Sequence, residues 1–225
     1  MTSAGREDAK ASEGTRRSPG IVYVLGLVTA FCVVVYGAVG ILMAVSGHPF
    51  SYFSRDAAAT LEAHPAVGML FYSGILVLWT AAVSCLLVAL HLSRRLTGSL
   101  TPLLLAGLGI AYLAVDDLFQ LHESVLPKLG VSQDVVLATY ALIALGYLLR
   151  YRDFFRGHEW PLLAIACAVL AASVAVDQFG SSIIAGDRER FVEEGFKLFG
   201  YALLATYFVR LALRLLDVTP ATRTN

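Results

Sequence analysis

The sequence predicts an all-α polytopic membrane protein with six transmembrane helices, and three observations carry that expectation. Of 225 residues, 57% are hydrophobic and only 15% are charged, against about 25% charged in soluble domains. Apolar runs long enough to cross a bilayer, about 18 residues or more, recur along the whole chain. Lys and Arg concentrate in alternate loops, as membrane topology requires. Net charge is zero and the sequence pI is near 7.0, so no basic footprint for a nucleic-acid partner exists.

Residues 1–20, MTSAGREDAKASEGTRRSPG, are small, polar and charged, and read as a disordered cytoplasmic leader. The first span covers residues 21–46. Arg16 and Arg17 before it, and the small pair Ala44 and Ser46 at its end, resemble a signal peptide. The run is far longer than the roughly 7–15 apolar residues of a cleaved signal, so the helix is expected to be retained.

Residues 47–64 form an external loop with His48, Arg55, Asp56, Glu62 and His64 among the aromatics Phe50, Tyr52 and Phe53. A second span, residues 65–92, is closed by Arg94, Arg95 and the turn formers Gly98, Ser99 and Pro102. The third span, residues 103–123, is expected to stay helical through Glu123, before a loop with Pro127 and Gly130. The fourth, 133–151, ends in RYRDFFRGHEWP, whose Tyr151, Phe154, Phe155 and Trp160 read as an inner aromatic belt. The fifth and sixth spans cover residues 161–184 and 190–216, and residues 217–225 form a cytoplasmic tail.

Charges fix the expected orientation. Arg6, Lys10, Arg16, Arg17, Arg94, Arg95, Arg150, Arg152, Arg156, Arg210, Arg214 and Arg223 fall inside, whereas Arg55, Lys128, Arg188, Arg190 and Lys197 fall outside. That excess places both termini in the cytoplasm of a multi-pass cell-membrane protein. The acids run the other way and leave the outer face net negative. Cys32, Cys85 and Cys167 lie in apolar runs without a C-x-x-C pair; they read as small residues packed between helices.

An offset of 61 residues superposes the third and fourth spans on the fifth and sixth. AVD at 114–116 falls on AVD at 175–177, and YALIA at 140–144 falls on YALLA at 201–205. Both halves run in the same direction, which makes this a parallel internal repeat. It pairs Asp116 with Asp177 and Tyr140 with Tyr201.

The chemistry concentrates in YLAVDDLFQLHE, Tyr112 to Glu123. Carboxylates at the end of a membrane span are costly and call for a partner or a function. Helical spacing places Asp116, Gln120 and Glu123 on one stripe, with Asp117 and His122 on flanking faces. On the sixth span, Glu193 and Glu194 precede Lys197 by about one turn, with Tyr201 a turn further. Lys197 needs a counter-charge, from Glu193, Glu194, Asp116, Asp117 or Asp177.

The plainest reading of these residues is an interhelical clamp of ion pairs and hydrogen bonds at the outer edge. The acids outnumber the bases, however, which favours raised carboxylate pKa values or a bound cation. Three functions compete with the clamp. Asp117, His122 and Glu123 could do acid–base work, or hold zinc or iron, in a hydrolase or transferase acting on an outer-leaflet lipid, with His48 or His64 assisting. There is no H-E-x-x-H and no nucleophile elbow. An acidic, aromatic-lined site could instead bind a small amphiphile or cation. A proton- or cation-coupled transporter is the third, although its acids would sit at the boundary rather than the midplane. Membrane lipids are the expected surroundings in every case.

DDLFQ from Asp117's neighbour Asp116 to Gln120, with the apolar helix before it and the Pro/Gly loop after it, resembles the VanZ-like family of bacterial membrane proteins. That family shows an Asp-Glu-x-x-Gln type element at a span end, a short Pro/Gly/Arg loop and an Asp opening the next helix. Asp116, Asp117 and Gln120 match the first element and Asp134 the last. DQFGSSIIAGDRERF from Asp177 echoes it, with Gly186 and Arg188 in the loop. The second acid is Asp rather than Glu, and Lys128 stands where Arg is usual. The resemblance implies a small bacterial membrane protein, linked in some members to glycopeptide-antibiotic tolerance, without established catalytic chemistry.

Overall fold

The computed structural model describes residues 21–54, 61, 62, 64, 66–93, 100–179 and 187–218. They are all helix and connection, with no strand among them. Two compact units divide the chain, Met1–Val67 and Gly68–Asn225.

The first unit contains α1 (Ile21–Ser46) and the short α2 (Phe50–Ser54). Helix α1 is continuous over the whole predicted first span. The expected external loop is helical in part: Phe50 stacks on Tyr36 and Tyr52 stacks on His48. His64 Nδ1 accepts the Ala66 N–H at 3.1 Å. Residues 1–20, the expected leader, lie outside the described residues, as do Arg55 and Asp56 of the loop.

The second unit contains α3 (Met69–Leu92), α4 (Thr101–Phe119), α5 (Gln133–Arg150), α6 (Arg152–Arg156), α7 (Trp160–Phe179) and α8 (Asp187–Val218). Among the described residues, five helices, α3, α4, α5, α7 and α8, are long and apolar enough to cross a membrane. The core is built from small side chains, which let helices approach closely where lipid supplies no hydrophobic drive. Ala81, Ala82, Cys85 and Ala89 of α3 share this core with Ala106, Ile110 and Ala114 of α4. Leu204, Ala205, Tyr207, Phe208 and Leu211 of α8 complete it, and α8 packs on both α3 and α7.

Two glycines mark the closest approaches. A Cβ on Gly107 would lie 2.8 Å from Leu86 Cγ, and one on Gly200 would lie 2.5 Å from Leu170 Cδ2. Cys85 belongs to this core, and Cys167 packs against it. Phe155 is 3% exposed and packs on Tyr147, Tyr207 and Phe208, so it is a core residue and not part of an interfacial belt.

Helix α5 is attached differently. Val136 is its one buried residue, and Val135, Leu142, Ile143, Leu145 and Leu149 face outward. Three polar side chains spaced seven residues apart tie it to the bundle. Gln133 Nε2 donates to Asp177 Oδ2 at 3.3 Å, Tyr140 Oη to Asp116 Oδ1 at 2.9 Å, and Tyr147 Oη to the Pro102 carbonyl at 2.6 Å.

Several boundaries differ from expectation. Pro102 opens α4 rather than closing a turn, because proline fits the first helical turn, where its missing N–H costs nothing. Helix α7 is described as far as Phe179, and residues 180–186, with the expected end of the fifth span, lie outside the described residues. The largest correction concerns the end of α4. The helix stops at Phe119, Gln120 adopts the left-handed conformation (φ 49°, ψ 45°), and Leu121–Val125 form a π-helical turn. No glycine or proline announces this stop.

Candidate functional site

That break builds the site. In an uninterrupted helix, residues 116 and 122 would be about 600° apart around the axis and on different faces. The left-handed Gln120 folds the chain back, so the His122 N–H donates to Asp116 Oδ1 at 3.2 Å and His122 Nδ1 pairs with Asp116 Oδ2. The expected Asp116–Gln120–Glu123 stripe is therefore absent. Gln120 is exposed at the turn and makes the geometry rather than contacts within it.

Asp116 is 2% exposed and Asp117 6%. Buried carboxylates persist only when their oxygens are satisfied. Asp116 is held by His122 and by the Tyr140 hydroxyl, which also lies 2.8 Å from the Tyr112 hydroxyl. Asp117 accepts the Tyr201 hydroxyl at 2.6 Å and lies 3.5 Å from Lys197 Nζ. Of the five candidate counter-charges for Lys197, Asp117 is the one in ion-pair contact. Gly74 on α3 makes room for this pair: a Cβ there would sit 3.2 Å from the Tyr201 ring.

His122 Nε2 faces Glu123 Oε1 at 3.4 Å, so the imidazole stands between two carboxylates. Burial alone would lower the His122 pKa. The hydrogen bond with Glu123 and the charge and hydrogen bond of Asp116 outweigh it, and the pKa is raised. Glu123 moves the other way: its hydrogen bond with His122 dominates over burial, and the Lys197 and His122 charges add to it, so its pKa is lowered.

The remaining predicted residues are at the same end of the bundle but not all in one cluster. Asp177 accepts from Gln133 and from its neighbour Gln178, forming a second polar node. Tyr201, the counterpart of Tyr140 at the 61-residue offset, bonds to Asp117 and not to Asp177. The Glu193 backbone carbonyl accepts the buried Ser173 hydroxyl at 3.0 Å. Glu194, Lys197 and Tyr201 join Asp117, Leu70 and Phe71 around a crevice of about 10 Å³, room for one water-sized group.

Asp116, Asp117 and His122 each offer a ligand atom within 4.8 Å of the others. Of the three ligands expected in sequence, Asp117 and His122 belong to this group and Glu123 does not; Glu123 Oε1 lies 3.4 Å from His122 Nε2. Asp116 on Nδ1 is the orienting partner that a ligating imidazole ordinarily has. Asp117, engaged by Lys197 and Tyr201, is the least available of the expected ligands. No serine, threonine or cysteine hydrogen-bonds to His122 among the described residues, so the Asp–His pair has no attached nucleophile.

Sequence reading missed a polar cluster at the other end of the bundle. Glu159 Oε2 accepts Arg210 Nε at 2.8 Å, and Oε1 accepts Arg210 Nη2 at 2.6 Å and Arg214 Nη2. Glu159 has φ 38°, a conformation few residues other than glycine adopt. The i, i+4 spacing of the two arginines was the available signal.

The fold and both polar clusters thus define a helical membrane protein with charged groups at the two ends of its bundle. A family model described as "Domain of unknown function (DUF8692)" matches residues 21–211. The chain belongs to that family. No curated protein and no solved structure matches it.

Proposed function

We propose that the chain is a six-span cell-membrane protein, both termini cytoplasmic, that binds a small cation or the cationic head group of an amphiphile at its outer boundary. The observation that carries this is the charge imbalance around Asp116 and Asp117. Each buried aspartate has one cationic partner, His122 or Lys197, while Glu123, Glu193, Glu194 and Asp177 add four more carboxylates. The crevice beside Asp117 sets Glu194 next to Leu70 and Phe71 and has room for one water-sized group, so it would take a charged head alone and leave any apolar body outside. The 61-residue repeat and the likeness to VanZ-like bacterial proteins fit the same reading.

The test is thermal unfolding of purified protein in neutral detergent with dodecylamine or dodecanol added. A ligand at a hundred times its Kd stabilises by about 2.7 kcal/mol. Dodecylamine should raise Tm and dodecanol should not, and Glu194→Gln should remove most of the difference. Equal responses to both amphiphiles would discard the proposal.

A second reading rests on the His122–Glu123 spacing: a zinc or iron ion held by His122 and Glu123, with Asp116 orienting the ring. Such an ion would supply Lewis-acid chemistry or activate a water for hydrolysis of an outer-leaflet lipid. Elemental analysis should then find metal that His122→Ala and Glu123→Gln each remove while the helical fold survives. Metal-free protein that acquires none on dialysis against zinc would rule this out.

A further inference from the structure

The Glu159 cluster has donors to spare. Two guanidinium groups carry five N–H donors each, and Glu159 takes three of them. One carboxylate between two arginines leaves a positive charge. Arg210 and Arg214 are 51% and 45% exposed at their side chains, so this charge is presented outward. An open groove runs beside it between the start of α7 and the face of α8, with walls of Pro161, Leu162 and Thr206. Trp160, next to Pro161 in the chain, is exposed as well.

A planar cation fork above an apolar groove, at the end of a membrane helix bundle, complements one class of partner. We infer that the Arg210–Arg214 end binds the phosphodiester head group of an anionic phospholipid, with an acyl chain along Pro161 and Leu162. Arg suits this role better than Lys because its fork can donate two parallel bonds to phosphate oxygens. Basic pockets between helices are a recurrent way of holding anionic lipid. Glu159 fixes both side chains in place and competes with the phosphate for the same N–H groups. The site is separate from the Asp116 cluster and stands whether or not that cluster binds a cation.

The test uses the full chain in nanodiscs, with native mass spectrometry of retained lipid after transfer to detergent. Phosphatidylglycerol should be retained over phosphatidylcholine from an equal mixture. Arg210→Gln and Arg214→Gln should each cut that preference roughly fivefold. Glu159→Gln should raise it, a change in the direction opposite to any general loss of structure. Arg150→Gln with Arg152→Gln removes twice as much charge from the same end and should leave the preference largely intact. Equal retention of the two lipids by the wild type overturns the site, as does equal loss in the Arg150/Arg152 control. Should the arginine variants fail to fold, the wild-type preference and the Glu159→Gln change decide the matter. Displacement of the lipid by glycerol phosphate, which has the phosphate and no acyl chain, would reassign the groove to a soluble phosphate ester and overturn the lipid proposal.

Discussion

Asp117 and Lys197 are 7% and 18% exposed at their side chains and 3.5 Å apart. Removing one member of such a pair strands the other's charge in a medium that solvates it poorly, at a cost of about 3 kcal/mol. Asp117→Asn and Lys197→Met should each lower stability by about that much, and the double variant should lose less than the sum. Reversible unfolding in mixed micelles measures this, and additive losses would mean that the two groups act independently.

Protonation has a definite sign at the neighbouring pair. The folded His122 pKa lies above its ordinary 6.5, so its stabilising contribution is full below pH 6.5 and is lost as pH rises through the raised value. The folded Glu123 pKa lies below its ordinary 4.5, so its contribution is full above pH 4.5 and is lost as pH falls through the lowered value. In chelator-treated protein the pair should stabilise most between about pH 4.5 and 6.5. The Tm difference between wild type and His122→Gln should shrink above that window. A difference independent of pH would show that His122 does not change charge there.

At the scale of the element, α4 is decided by Gln120. A non-glycine residue in the left-handed region costs about 1–2 kcal/mol. Gln120→Gly should therefore hold or raise Tm, while Gln120→Val should lower it and loosen the His122–Asp116 contact. Gly200 makes the converse case. Alanine there must displace Leu170 Cγ and Cδ2, 2.7 and 2.5 Å from the added carbon, and should cost about 1–3 kcal/mol. Circular dichroism melts compare the two.

These elements also show what was readable from sequence. Helix positions followed from hydropathy, because bilayer crossing imposes one length scale on every span. The stop at Gln120 did not, since glutamine carries no turn preference and its strain is sustained by the hydrogen bonds of the π turn. Asp116 and His122 were both singled out, yet their contact at a separation of six residues violates helical periodicity. Glu159 and Arg210 are 51 residues apart, and only the packing of α7 on α8 brings them together.

For the whole molecule, the charge distribution along the chain gives a prediction that no single contact can. Reporter fusions at either terminus should be active as cytoplasmic fluorescent proteins and inactive as enzymes that require export. An active exported reporter at one terminus alone would leave an odd number of crossings. The two aspartates that the 61-residue offset pairs have different partners. Asp116 is bound by a tyrosine of α5 and an imidazole, Asp177 by two amides.

Helix α5 has a further consequence. Its three ties fall at Gln133, Tyr140 and Tyr147, and almost nothing else fixes its rotation. Its position is therefore encoded as a phase. Inserting one residue after Tyr140 would swing Tyr147 by about 100° from the Pro102 carbonyl. Deleting residues 141–147 would remove that anchor and yet leave Gln133 and Tyr140 aligned. In this helix the outward-facing hydrophobic side chains can be exchanged for one another, whereas the count of residues between polar ones cannot be changed.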